Sequence, residues 1–224
     1  MQLCESFFAA GRAKKLRNHL PRPDTHGRND IHTYKLVIGG SVSQCVMSRI
    51  ILGHCFHDPT LEATFKFSPW EREDWRKDPY QHTCTVDDDD DRVSLKFLPM
   101  PDDSLWSTQA FNLQCLRDAD GLIVVFCIEQ RESFEKLVDD SKFLLRLKAE
   151  NDIPLILVGG QPGYCESVGD MRQVAREEAE DFAQALGARY FEIRREESIK
   201  NGDYAPVQYL VRDIRRKSLP ASVS

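Results

Sequence analysis

From about residue 34 onward, short apolar runs alternate with longer amphipathic stretches. That rhythm predicts an α/β domain, a mainly parallel sheet with helices on both faces. Tyr34–Ile38 reads as the first strand and Val46–Cys55 as the first helix, weakened in its last turn by Gly53. Asp58-Pro59-Thr60 opens an irregular stretch. Tyr80–Val86 and Arg92–Leu98 each alternate residue by residue and form the one expected antiparallel hairpin. Its tip is Asp87–Asp91, a run whose mutual repulsion favours a solvated turn; metal loops space their ligands and turn on glycine. Leu122–Ile128 is apolar throughout, as in the middle of a parallel sheet. Ser133 is placed to cap a helix over Phe134–Lys148, in which Phe134, Leu137, Val138, Phe143, Leu144 and Leu147 share a face. Ile153–Val158 is a further buried strand, Arg172–Leu186 a charged helix ending at Gly187, Arg189–Ile193 the last strand, and Tyr204–Lys217 a closing helix. The count is about six strands.

The ends differ from this body. Residues 1–33 form an extension in which Leu3–Leu20 could make a basic helix with Arg12, Lys14, Lys15 and Arg17, followed by a Pro/Gly linker. It is expected to be partly disordered or helical, and it is the candidate membrane contact of a peripheral protein. Residues 34–217 form the domain, with an insertion at 66–79, and 218–224 are a short polar tail.

Composition narrows the function classes. The chain has 224 residues, 41% of them hydrophobic and 29% charged, and a net charge of −6. Such a balance argues against nucleic acid as the main partner, since phosphate binding needs a concentrated basic face. The seven cysteines are scattered and never paired as C-x-x-C, so neither a zinc site nor a secreted disulfide framework is expected, and the reading is cytoplasmic. No run reaches the roughly 18 apolar residues of a membrane span. The final residues carry Ala221 where a prenylation box needs cysteine, so no lipid anchor is expected there.

The candidate chemistry lies where Tyr34–Ile38 runs into Gly39-Gly40. A strand that ends in glycines before a helix is the setting of a phosphate-binding loop, G-x-x-x-x-G-K-[ST], whose backbone N–H groups and lysine surround phosphates. Here Gly40 opens the pattern, followed by Ser41, Val42, Ser43 and Gln44. Cys45 then stands for the second glycine, Val46 for the lysine and Met47 for the metal-binding hydroxyl. A thiol at a helix N-terminus can be activated, which makes Cys45 a covalent or redox candidate beside its plainer reading as a small packing residue.

Several stretches together resemble the Ras family of small GTPases over about Tyr34–Lys217. They are YKLV, HDPTLEATF (His57–Phe65), ADGLIVVF, SFEKL (Ser133–Leu137), NDIPLILVG (Asn151–Gly159), REEAEDFAQALGARYFE (Arg176–Glu192) and LVRDIR (Leu210–Arg215). The resemblance implies a small-GTPase-like P-loop fold and five nucleotide motifs. Thr60 matches the threonine that senses magnesium and the γ-phosphate. The D-x-x-G site reads Pro99-Met100-Pro101-Asp102-Asp103, the N-K-x-D site Gly160-Gln161-Pro162-Gly163, and the S-A-K site Ile193-Arg194-Arg195-Glu196. Losing the lysine, the magnesium hydroxyl and the base-reading aspartate costs on the order of 5–8 kcal/mol, roughly four to six orders of magnitude in affinity. Hydrolysis loses more, because the same groups act on the transition state.

The expected function is therefore that of a pseudo-GTPase scaffold in signalling, with no cofactor, no metal and no catalytic residue. The resemblance puts the partner site on Asp58, Pro59, Thr60, Glu62 and Phe65 with the Tyr80–Val86 edge, and Trp70 and Trp75 of the insertion are added as anchors. The alternative is a divergent GTPase that keeps GTP or GDP with magnesium weakly. Lys35, Arg49, Arg194 or Arg195 would then supply the missing charge.

Overall fold

The structure, a computed structural model, describes residues 32–40, 80–85, 92–99, 110–161, 172–193 and 205–218. Its strands are β1 (His32–Gly40), β2 (Tyr80–Thr85), β3 (Arg92–Pro99), β4 (Gly121–Cys127), β5 (Leu155–Gly160) and β6 (Arg189–Ile193). Its helices are α1 (Ala110–Asp118), α2 (Arg131–Asp139), α3 (Ser141–Asn151), α4 (Arg176–Ala185) and α5 (Ala205–Ser218). The strands form one sheet in the order β2-β3-β1-β4-β5-β6. Every neighbouring pair is parallel except β2 with β3, which pair antiparallel from Tyr80↔Phe97 to Thr85↔Arg92.

Strand alternation builds a core on each side. Tyr34, Leu36 and Ile38 of β1 share a face with Ile123 and Val125 of β4 and Ile156 and Val158 of β5, covered by Val207, Leu210, Val211 and Ile214 of α5. The opposite face carries Val37, Leu122, Val124, Phe126, Leu155 and Leu157. Over it lie Leu116, Phe134, Leu137, Leu144, Ala179 and Ala183 from the first four helices. Burying one such aliphatic or aromatic side chain contributes about 1.5–3 kcal/mol. Two covered faces explain why β4 and β5 are apolar at consecutive positions, with all seven residues of β4 buried. At the start of β1, Asp120 Oδ2 accepts from the Lys35 N–H at 2.8 Å and the Asp120 N–H donates to Lys35 O, which sets the β1–β4 register.

Five local expectations need correction. β1 does not stop at Ile38: Gly39 and Gly40 continue it, and Gly40, its last residue, sits opposite Val125. A Cβ on Gly40 would overlap the Val125 carbonyl, so close approach of two backbones is what requires glycine here. Gly159 and Gly160 likewise extend β5. The single helix expected over Phe134–Lys148 is two, broken at Asp140, whose N–H bonds back to Lys136 O and Val138 O. Ser133 is not the cap: Gln130 is, and buried Ser133 instead accepts from Cys127 N at 3.0 Å and donates to Gln130 O at 2.7 Å. α4 starts at Arg176 rather than Arg172, because Gln173 N and Val174 N donate instead to Ile128 O.

Candidate functional site at the C-terminal rim of the sheet

Strand order reverses beside β1: the chain visits β2 and β3 on one side of it and β4, β5 and β6 on the other. In open α/β sheets such a reversal leaves a crevice at the carboxyl ends of the strands, where ligands bind. The described part of that rim comprises Gly40 at the end of β1, Ile128 and Glu129 after β4, Gly160 and Gln161 at the end of β5, and Ile193 at the end of β6. The site positions Gly40, Gly160 and Gln161 are thus brought to one edge of the sheet. Ser43, Cys45, Val46, Met47, Gly163, Asp58, Pro59, Thr60, Glu62, Phe65, Trp70 and Trp75 lie outside the described residues, as do Arg49, Asp102, Asp103, Arg194 and Arg195. The edge proposed for partners is β2, which among the described residues pairs with β3 alone.

The rim is closed by hydrogen bonds within the chain. Ile128 N donates to Gly160 O and Gln161 N to Ile193 O, each at 3.1 Å, linking β4 to β5 to β6 at their last residues. The Gln161 side chain then crosses back: its Nε2 donates to Glu129 Oε1 at 2.8 Å. Glu129 was not singled out from the sequence. Its signal, an acid directly after the buried apolar strand, acquires meaning only beside Gln161.

The arginines beside the rim are committed to carboxylates. Arg131, at the start of α2, holds Glu178 of α4 through both terminal nitrogens at 2.5 and 2.6 Å and Glu135 through Nε at 3.1 Å. These bonds raise the Arg131 pKa above its ordinary value and lower that of Glu178. Gln173 Oε1 accepts from the Arg131 N–H, capping α2 from the neighbouring segment. Arg172 pairs with Glu192 at 2.5 Å, and the Glu192 side chain is only 6% exposed. Tyr190 donates its hydroxyl to the other Glu192 oxygen at 3.1 Å, and burial, reinforced by Glu192, pushes the phenol pKa up. The same hydroxyl lies over Gly159, which leaves no room for a side chain there.

Lys35 is removed as a substitute charge. It lies exposed near the start of β1, five residues or roughly 16 Å from Gly40 at the other end of the strand. Among the described residues, the side chains on the rim itself therefore offer a carboxylate and an amide and no cation. No group of three or more histidine, cysteine, aspartate or glutamate residues among them could hold a metal ion. No described helix is long and apolar enough to cross a membrane.

The sequence can be compared with known proteins on this frame. A model of the Ras family matches residues 104–209, from just before α1 into α5. Relatives include the protein ras-1 of Neurospora crassa, 29% identical over 191 residues, 82% of this chain and 77% of that protein. The mouse Ras-related protein R-Ras is 29% identical over 85% of this chain and 79% of its own length. Mouse GTP-binding protein Rit1 is 26% identical over 82% and 75%. These similarities agree with the order of strands and helices observed: the chain is similar to the Ras family of small GTPases, over residues 104–209 by the family model and over most of its length by these relatives.

Proposed function

We propose that this protein is a pseudo-GTPase, a Ras-like scaffold that engages protein partners in signalling with guanine-nucleotide binding weak or lost and no GTP hydrolysis. The observation that carries this reading is the end of β5. Gly160 and Gln161 stand where the family resemblance expects the base-reading Asn-Lys pair, and the Gln161 amide is tied to Glu129 at 2.8 Å. A carboxylate at this rim repels phosphate, and the nearby Arg131 and Arg172 are spent on Glu178 and Glu192. The sequence adds Val46 at the lysine position and Gly163 at the aspartate position. The family match also begins at residue 104, after the phosphate-loop segment.

The residues at the motif positions do not fit a magnesium nucleotide. The partner surface is Asp58–Phe65 with the outer edge of β2, to which a partner strand can add, and Trp70 and Trp75 serve as anchors. Residues 34–217 act as the domain with an insertion at 66–79, and the basic segment 1–33 provides a peripheral membrane contact for a cytoplasmic protein.

The test is isothermal titration of nucleotide-stripped protein with GTP, GDP and ATP plus magnesium. We expect no saturable binding below about 10 µM, the range left after losing four or more orders of magnitude. Submicromolar GTP binding overturns the reading. It would favour the divergent GTPase, which the relative named as GTP-binding speaks for. Val46→Lys with Met47→Ser is expected to recover roughly two to four orders of magnitude in affinity at most, leaving the base-reading share of the loss in place. On the partner side, Thr60→Ala with Glu62→Lys should abolish capture of an effector-type partner; unchanged capture places the interface elsewhere.

A further inference from the structure

β6 is the last strand of the sheet, and among the described residues it pairs with β5 alone. Its outer edge presents main-chain donors and acceptors, the raw material of strand addition. Alternation sends Tyr190 and Glu192 toward α4 and puts Arg189, Phe191 and Ile193 on the α5 face. There the exposed Arg189 guanidinium lies 5.3 Å from the centre of the Phe191 ring and 4.9 Å from that of Tyr209 on α5. The two rings are themselves 5.5 Å apart and half-buried against the core.

Arg189 differs from its neighbours. Arg131, Arg172, Arg176 and Arg216 each hold a carboxylate of this chain. Arg189 is held by rings, and no described carboxylate pairs with it. Stacking fixes the guanidinium plane and leaves its N–H fork for a carboxylate from outside. Arginine with tyrosine and phenylalanine is also the composition of interface hot spots.

We propose that the outer edge of β6 docks an extended acidic segment of a protein partner. Its backbone would add to β6 and a carboxylate would seat on Arg189. This inference stands independently of the nucleotide reading. Together with the β2 edge, it would give the molecule two docking edges at opposite ends of one sheet.

The experiment is an amide NMR titration of the full-length protein with a seven-residue peptide alternating glutamate and valine, and with its lysine-for-glutamate counterpart. We expect saturable shifts at Arg189–Ile193 and Tyr209 with the acidic peptide only. Arg189→Glu should weaken binding at least tenfold and Arg189→Lys about threefold, the latter keeping the charge and losing the fork. The position is exposed, and an unchanged melting temperature would show that each variant folds. Absence of shifts up to about 1 mM peptide, equal binding of the lysine peptide, or an unaffected Arg189→Glu variant overturns the proposal. Arg189-dependent flotation with phosphatidylserine vesicles that the acidic peptide does not compete would also overturn it, assigning the surface to a membrane instead.

Discussion

Gly40 shows how a single residue can belong to the scaffold while looking like part of a site. Its hydrogen in place of a side chain lets β1 lie against Val125 of β4. Gly40→Ala should therefore destabilise the fold by about 3 kcal/mol, as overpacking between two backbones does, read from urea unfolding. A neutral outcome would mean that β1 ends earlier. At Glu178 the expectation is a pH dependence. Its bond to Arg131 holds the folded pKa below the ordinary value of 4.5. The contribution is complete above the unfolded pKa and is lost as pH falls through the lower folded value. The stability difference between the parent and Glu178→Gln should accordingly shrink on acidification. It should be small throughout, because both side chains are about two-fifths exposed.

Elements are joined across the α4 face by two devices of different strength. One is the ring series Tyr190, Phe126, Phe134 and Phe182, with successive centres 6.2, 5.1 and 5.5 Å apart. Phe126 is fully buried, and Phe126→Ala should cost about 4 kcal/mol in equilibrium unfolding. The other is Arg172 with Glu192, which ties the segment before α4 to β6. Here the side chains are 18% and 6% exposed, so removing either partner leaves a charge with little water around it. Glu192→Gln should cost about 3 kcal/mol, and the double variant Arg172→Met with Glu192→Gln should recover part of that loss. Additive losses in that cycle would show that the pair does not act as a unit.

For the whole molecule, the rim and the two sheet edges are separate regions, and ligand linkage tells them apart. If nucleotide binding is as weak as proposed, with Kd above about 10 µM, about 100 µM GTP with magnesium should stabilise by less than about 1.4 kcal/mol. A submicromolar binder at that concentration would gain about 2.7 kcal/mol or more, a shift of several degrees. The acidic peptide at high concentration should raise the melting temperature of the parent and leave that of Arg189→Glu unmoved.

The chain's local pattern was sufficient for the order of the strands, because period and burial are written in neighbouring residues. LIVVFCI announced a central strand, and RYFEI was read with its observed boundaries. The residues Val46, Met47 and Gly163, on which the proposed weakening of nucleotide binding rests, were equally legible as identities. α1 went unread, and the break at Asp140 was hidden inside an unbroken apolar face. What the tertiary structure decided involves partners far apart in sequence. Gly40 stays in its strand because Val125 lies opposite, Gln161 finds Glu129 across the β4–β5 rim, and Arg189 turns to Tyr209 rather than to an acid. A glycine pair looks the same in sequence whether it turns a loop or admits a neighbouring strand. Only the opposing backbone distinguishes the two.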